Sequence, residues 1–449
     1  MNGRLASYDP SNGELLGEVQ VTTKERLSVM VTQAHAAAAN WRNLDAVVRG
    51  TILEMAYACL EPHVKEFAKL LSLEMGKDFR RATGEVGNVV YGGPYIARGA
   101  IEALNTRDLG GGSLVEYAPL GVVAVISPWN YPLAMANNLI VPALVAGNTV
   151  IFKPSEETPL IAERFIECLN QVLPQHVLQV VYGDSEQGKA LVESNVQLIA
   201  FTGSQAAGKD IMARASGQLK GLVMELGGND PMIVLQDANI EAAAHFAVAS
   251  SFENAGQMCT STERIYVDNR IAGQFEKRVV ELATEYKVGP WDMAGVNIGP
   301  IINADQHSKI IEHILDAETK GARVLLGGSQ QSERYIRPTV ISDMTPTMLM
   351  EQEETFGPVV SISRVASITE AIARANNSSY GLGAVVFGST EAEAVAAQLE
   401  AGMIGINQGP GGAGDAPWVG AKQSGFGFHG SPDGHRQFAQ VRVVSRQTN

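Results

Sequence analysis

The sequence predicts an α/β protein built on two doubly wound sheets, and three observations predict it. From Gly121 onwards, short apolar β-prone runs alternate with helix-like segments, and a second alternation of the same kind starts near Pro231. Such alternation is the signature of βαβ units feeding a doubly wound sheet. The chain's 449 residues also exceed what one hydrophobic core of ordinary size holds.

The elements follow in order. Residues 1–20 read as a strand pair with its turn at Pro10-Ser11-Asn12-Gly13. Apolar residues at three-to-four spacing then predict helices over 23–41 and 46–75. Thr22 or Thr23 caps the first, with Glu25 close behind. A further helix is predicted over 83–104, and a hairpin where Gly110-Gly111-Gly112-Ser113 leads into Leu114-Val115-Glu116-Tyr117. Val122-Val123-Ala124-Val125-Ile126 is a continuous apolar run, as strands buried on both faces are. After it the pattern predicts helices over 139–145, 159–173, 185–193 and 204–216, with strands over 149–152, 177–181 and 198–201. The second alternation predicts strands over 232–235, 263–267, 324–326 and 359–362, with helices over 240–252, 272–285 and 304–320. A last strand, 441–445, stands alone.

Bulk properties narrow the function. Apolar residues make up 45% of the chain, but none of its apolar runs approaches the roughly 18 residues of a membrane span. The start, Met1-Asn2-Gly3-Arg4-Leu5, lacks the apolar core of a secretory signal, so a cytoplasmic location is the default. Three widely spaced cysteines argue against a disulfide framework. No Cys/His cluster has zinc spacing, so no metal is expected; His307 and His313 fall on different faces of one helix and read as surface residues. A net charge of −14 disfavours nucleic-acid or anionic-membrane partners.

Chemistry concentrates at Asn254-Ala255-Gly256-Gln257-Met258-Cys259-Thr260. Small residues before Cys259 let a ligand approach the backbone. Cys59 and Cys168 sit inside apolar runs instead. Taken alone, Cys259 reads equally as a buried structural thiol or a nucleophile. Glu225 ends the strand-like Leu222-Val223-Met224 and meets Gly227-Gly228; it reads as a base raised by apolar surroundings or as a solvated strand end. Gly203-Ser204 follows a strand and opens a helix whose amides can face a phosphate, although no Gly-x-Gly-x-x-Gly is present.

Six motifs in order resemble the aldehyde dehydrogenase superfamily: Ser127-Pro128-Trp129-Asn130, Lys153-Pro154-Ser155-Glu156, Phe201-Thr202-Gly203-Ser204, Glu225-Leu226-Gly227-Gly228, the Cys259 stretch, and Glu353-Glu354-Thr355-Phe356-Gly357-Pro358-Val359. The resemblance spans nearly the whole chain. It implies an NAD(P)-dependent oxidation of an aldehyde to a carboxylic acid through a cysteine thiohemiacetal and thioester. It implies Cys259 as nucleophile, Glu225 as the base that activates water, and Asn130, with the Cys259 backbone N–H, as oxyanion hole. Gly203 and Ser204 then contact the pyrophosphate, Lys153 and Glu156 the adenosine ribose, and Glu354 and Phe356 the nicotinamide ribose and ring. Ser127, Trp129 and Gly227 complete the expected cofactor set. Glu156 argues for NAD over NADP, because a carboxylate repels a 2′-phosphate. The implied division is 1–107 and 120–226 for a dinucleotide-binding domain and 227–429 for a catalytic domain. Residues 108–119 and 430–449 form an arm that pairs subunits into a homodimer or homotetramer.

Asn138, Glu253 and Trp418 are the expected aldehyde-tunnel residues. Relatives that oxidise succinate semialdehyde commonly carry arginines at the first two positions. An acid at Glu253 repels an anionic substrate, so a neutral or amine-bearing aldehyde is expected and a carboxy-aldehyde is the alternative. Where many relatives have a glutamate near the C-terminus, this chain has His429. A CoA-acylating enzyme is disfavoured by Glu225, and a catalytically silent binding member by the presence of Cys259 and Asn130. A Cys–His hydrolase lacks a supporting signature.

Overall fold

A computed structural model describes residues 3–412 and 414–447. Residues 1, 2, 413, 448 and 449, which fall inside the expected domain spans, lie outside the described residues. Among the described residues, no helix is long and apolar enough to cross a membrane.

The first sheet has six strands, in the order Gly425–Phe426, Gly221–Leu226, Leu198–Gly203, Val122–Ile126, Thr149–Lys153 and Leu178–Val180. All pairs are parallel except the first. Alternate residues of each strand point to opposite faces. Val123, Val125, Val150 and Phe152 pack with the helices on one side, and Val122, Ala124 and Ile151 with Leu27, Met30 and Ala34 on the other. Strand order reverses at Val122–Ile126, which opens a crevice between the carboxyl ends of that strand and Leu198–Gly203. Ser127 and Ser204 stand at its two sides.

The second sheet has seven strands, in the order Arg323–Leu326, Thr339–Ser342, Val359–Val365, Thr262–Asp268, Asp230–Val234, Gly383–Phe387 and Met403–Ile406. Only its first pair is antiparallel. Three of these strands, Thr339–Ser342, Gly383–Phe387 and Met403–Ile406, were not expected from the sequence. They are four or five residues long, and Gly383 and Gly405 put a residue of low strand propensity into two of them. A third, antiparallel sheet joins Arg107–Gly110, Ser113–Pro119 and Ala439–Ser445. It brings the glycine-rich hairpin and the isolated C-terminal strand together. Gly425 pairs with Glu225, so the chain re-enters the first sheet before residue 429, which the division at 226/227 does not anticipate.

Three further expectations are corrected. The helix over 46–75 is broken into Ala46–Ala58, a 3₁₀ turn Glu61–His63 and Val64–Met75. Pro62 cannot donate to a helical ladder and its ring crowds the carbonyl four residues back. The helix expected over 83–104 starts earlier, as Phe79–Ala103, because the Asp78 side chain accepts the Arg81 N–H and caps it. His313 is not a surface residue: it is 2% exposed, with Nδ1 3.1 Å from Thr355 Oγ1.

Candidate active site

The Cys259 loop is held in an uncommon backbone shape. After the helix Ile240–Phe252, Asn254, Ala255 and Gly256 turn left-handed, with φ of 52°, 59° and 72°. For Asn254 and Ala255 this costs roughly 1–2 kcal/mol each, so neighbours must compensate. Gly256 admits no side chain, since a Cβ there would lie 2.0 Å from the Gly357 carbonyl oxygen. Asn254 Nδ2 donates to Gln257 O and to Asn130 O, both at 3.2 Å. Gln257 Nε2 donates back to Asn254 O at 3.1 Å, and its Oε1 accepts Ile302 N at 3.0 Å.

Two strand ends converge on this loop. Glu225 sits one residue before the end of Gly221–Leu226 and is buried. Asn130 follows Val122–Ile126, is buried, and donates from Nδ2 to Gln257 O at 3.0 Å. Cys259, Glu225 and Asn130 all line one cavity of about 280 Å³. Trp129, Gly203, Ser204, Gly227, Glu354, Phe356 and Trp418 line it too.

The electrostatics suit proton transfer. Burial, and then the neighbouring Glu225 carboxylate, push the Cys259 thiol well above its ordinary pKa. Burial also raises Glu225, while Cys259, Trp418 and Thr202 draw it part of the way back. None of the three is in hydrogen-bonding geometry with it: both Glu225 oxygens, Trp418 Nε1 and Thr202 Oγ1 are buried without a partner. A buried carboxylate of raised pKa beside a thiol is a proton acceptor near neutral pH.

The switch-point crevice fits a dinucleotide. Ser204 caps the helix Gln205–Ser216 through Ala207 N, so that helix's N-terminus faces the crevice. The hydroxyls of Ser127 and Thr202 are buried there without a partner. Lys153 ends its strand with Nζ 3.0 Å from Pro154 O and 3.6 Å from the Glu156 carboxylate, whose side chain is 45% exposed. Phe356 meets Trp129 edge-on, with ring centroids 5.5 Å apart. Its left-handed φ of 55° is held by Glu263, which accepts Thr355 N at 2.6 Å and Phe356 N at 2.8 Å. Glu354 accepts Gly228 N at 2.9 Å. Among the described residues, no group of His, Cys, Asp and Glu is arranged to hold a metal.

Of the expected tunnel residues, only Trp418 lines the cavity. Asn138 lies one helical turn beyond Met135, past the end of the wall. Glu253 stands behind Tyr131, pairing with Arg81 Nε at 2.9 Å and accepting from Tyr131 Oη at 3.3 Å. Arg81, which also pairs with Asp78, offsets part of its charge, and Glu253 is not on the cavity wall from which the sequence predicts that it repels an anionic substrate. His429 is also off the wall. It lies opposite Trp418 in a short antiparallel pair, stacked at 6.4 Å between ring centroids. Burial pushes its pKa down to about 4, so it is neutral. Sequence reasoning missed Tyr131, Met135, Thr202, Met258 and Lys309 on the wall, and Lys77 and Glu85 behind it. Thr202 and Met258 stand inside two of the six motifs and Tyr131 directly after a third, but no sequence signal marks Met135, Lys309, Lys77 or Glu85.

A model of the "Aldehyde dehydrogenase family" matches residues 1–444. A probable succinate-semialdehyde dehydrogenase [NADP(+)] of Sinorhizobium fredii is 37% identical over 98% of this chain and 92% of its own length. A peroxisomal aminoaldehyde dehydrogenase of Pisum sativum is 33% identical over 100% of this chain and 93% of its own. The crystal structure of succinate-semialdehyde dehydrogenase from Burkholderia pseudomallei superposes with a TM-score of 0.95 at 33% identity, covering 99% of this chain and 95% of that one. With its whole length matched and its fold shared, this chain belongs to the aldehyde dehydrogenase family, NAD(P)-dependent oxidoreductases that act on aldehydes.

Proposed function

We propose that the protein oxidises a neutral or amine-bearing aldehyde to its carboxylic acid, with Cys259 as nucleophile. The observation that carries this reading is the shared cavity of Cys259, Glu225 and Asn130, whose outer wall is aromatic and thioether: Tyr131, Met135, Met258 and Trp418. Among the described residues no arginine lines that cavity to clamp a substrate carboxylate, and the lysine that does, Lys309, lies near the Glu354 and Glu263 carboxylates. Aromatic faces accept an apolar tail and attract a cation.

In the mechanism, Glu225 takes the Cys259 proton and Sγ adds to the aldehyde carbon, giving a thiohemiacetal. The Asn130 amide donates to the oxygen that gains charge. Bound NAD(P) supplies the acceptor for the hydride that leaves the same carbon. Glu225 releases the thiol's proton to solvent and then deprotonates a water that attacks the thioester on Cys259; the C–S bond breaks, the acid departs, and Glu225 returns the water's proton to Sγ. Gly203, Ser204, Ser127, Trp129, Gly227, Lys153 and Glu156 would hold the dinucleotide along the crevice, with Glu354 and Phe356 at its nicotinamide end. The Glu156 carboxylate favours NAD, although the Sinorhizobium relative is named for NADP(+). The exposed Leu109, Val441 and Val443 of the three-stranded arm support pairing of subunits.

An aldehyde panel with NAD and NADP, read by reduced nicotinamide, tests the reading. The expected result is a kcat/KM for neutral or amino-aldehydes at least about tenfold above succinate semialdehyde, a 1.4 kcal/mol preference, and no reduction by Cys259→Ala. A preference for succinate semialdehyde would instead favour the activity for which the Sinorhizobium relative is named.

A further inference from the structure

A fully buried ion pair lies behind the Asn130 turn. Lys77 follows the end of the helix Val64–Met75, and Glu85 lies on the helix Phe79–Ala103. Lys77 Nζ donates to Glu85 Oε2 at 2.5 Å and to the Asn130 carbonyl oxygen at 2.9 Å. It also stands 3.6 Å from the centroid of the Tyr131 ring. An ammonium has three protons, and these three contacts use its full donor capacity. Glu85 Oε1 accepts Leu133 N at 3.2 Å and Ala134 N at 3.3 Å. Those are orphan donors in the first turn of the helix Pro132–Val145, where a negative charge is favoured.

The pair thus grips both sides of one turn. Lys77 holds the carbonyl of Asn130, and Glu85 holds the helix that begins two residues later. Between those anchors the Asn130 side chain reaches the Cys259 loop, where Nδ2 donates one hydrogen to Gln257 O. Its second amide hydrogen is left for the cavity that Asn130 lines. A buried ion pair is a poor stabilising device compared with apolar residues of similar volume. Its contacts here converge on the backbone of a single side chain of the site.

We infer that Lys77 and Glu85 are a positioning pair that fixes the angle at which Asn130 presents its free amide hydrogen to the substrate oxygen. The inference rests on the oxyanion role proposed for Asn130. Neither residue touches the cavity; both act through the 130–134 backbone.

A double-mutant cycle on the full chain tests this. Lys77→Met/Glu85→Gln removes both charges at once, so no carboxylate is left buried and unpaired. The readouts are the single-turnover burst of reduced nicotinamide, the aldehyde KM and the dinucleotide Kd from protein fluorescence. The expected result is a burst rate lowered about 10²-fold, the scale on which misplaced catalytic groups act, with KM and Kd unchanged. In an Asn130→Ala background the same pair change should add no further loss, because groups acting as one unit are not additive. An additive loss, or an unchanged burst in the pair variant, overturns the inference. If Asn130→Ala itself keeps the full burst, the oxyanion reading fails and the inference falls with it. Should the double variant not fold, Glu85→Gln, which keeps an acceptor at the helix N-terminus, is read in the same cycle.

Discussion

Gly228 packs against the backbone of Cys259: a Cβ built on Gly228 would lie 2.2 Å from the Cys259 carbonyl oxygen. The strand end that carries Glu225 and the loop that carries the thiol are therefore in contact through main chain. Gly228 N also donates to Glu354, so one residue ties three parts of the site together. Gly228→Ala must push the Cys259 loop aside. The expected loss is about 10²-fold in the hydride-transfer burst, typical of an ångström-scale misplacement. Stopped-flow measurement that finds a wild-type burst would show that the loop yields without moving Sγ.

In a cavity that Glu354 also lines, burial holds the pKa of Glu225 above the ordinary glutamate value. As a base it works deprotonated. Steady-state turnover should therefore rise with pH through a limb displaced upward from about 4.3, the unperturbed glutamate value. Glu225→Gln should lose that limb and fall about 10²–10⁴-fold in kcat. A variant that keeps both the limb and the turnover would assign the base elsewhere.

His429 and His435 are buried and each has a ring nitrogen without a partner. Burial pushes both down to about 4. A base whose pKa is lower in the folded state takes up its proton first in the unfolded chain. These residues therefore cost stability progressively as pH falls from about 6.5, the unfolded value, towards about 4. Glu74, raised to about 7 by burial, acts in the opposite sense, so only the difference from a variant isolates the histidines. Thermal melts across that window should show a shallower acid loss for His429→Asn than for wild type. Parallel curves would mean that His429 finds a partner or water when protonated.

Glu156 is half-exposed beside Lys153, at the end of the crevice proposed for the adenosine ribose. Glu156→Ala removes a charge that opposes a 2′-phosphate. The expected change is about a tenfold gain in kcat/KM for NADP, or 1.4 kcal/mol, with a smaller loss for NAD. Equal kinetics with both dinucleotides before and after substitution would remove Glu156 from cofactor choice.

Much was legible from the sequence alone. Most parallel strands of the first sheet and four of the seven strands of the second were, because burial on two faces writes a continuous apolar run such as 122–126 into the chain. Asn130, Glu225 and Cys259 stood out only through the motifs by which the chain resembles the aldehyde dehydrogenase superfamily; taken alone, Cys259 read equally as a structural thiol. Only the tertiary structure decided what surrounds them. Lys77 meets Asn130 across 53 residues, and Arg81 meets Glu253 across 172. Nothing local in either segment announces the pairing. Likewise the spacing of His313 on its helix says which face it occupies, but not that Thr355 covers that face. Periodicity and propensity report on a few consecutive residues, whereas the charge, burial and partner of a side chain depend on what the fold brings against it. For this reason the sequence by itself determined the alternation of strands and helices and the motifs by which the chain resembles its family, and the tertiary structure alone decided that Glu253 pairs with Arg81, that His429 is held neutral behind Trp418, and that Lys77 donates to the Asn130 carbonyl from behind.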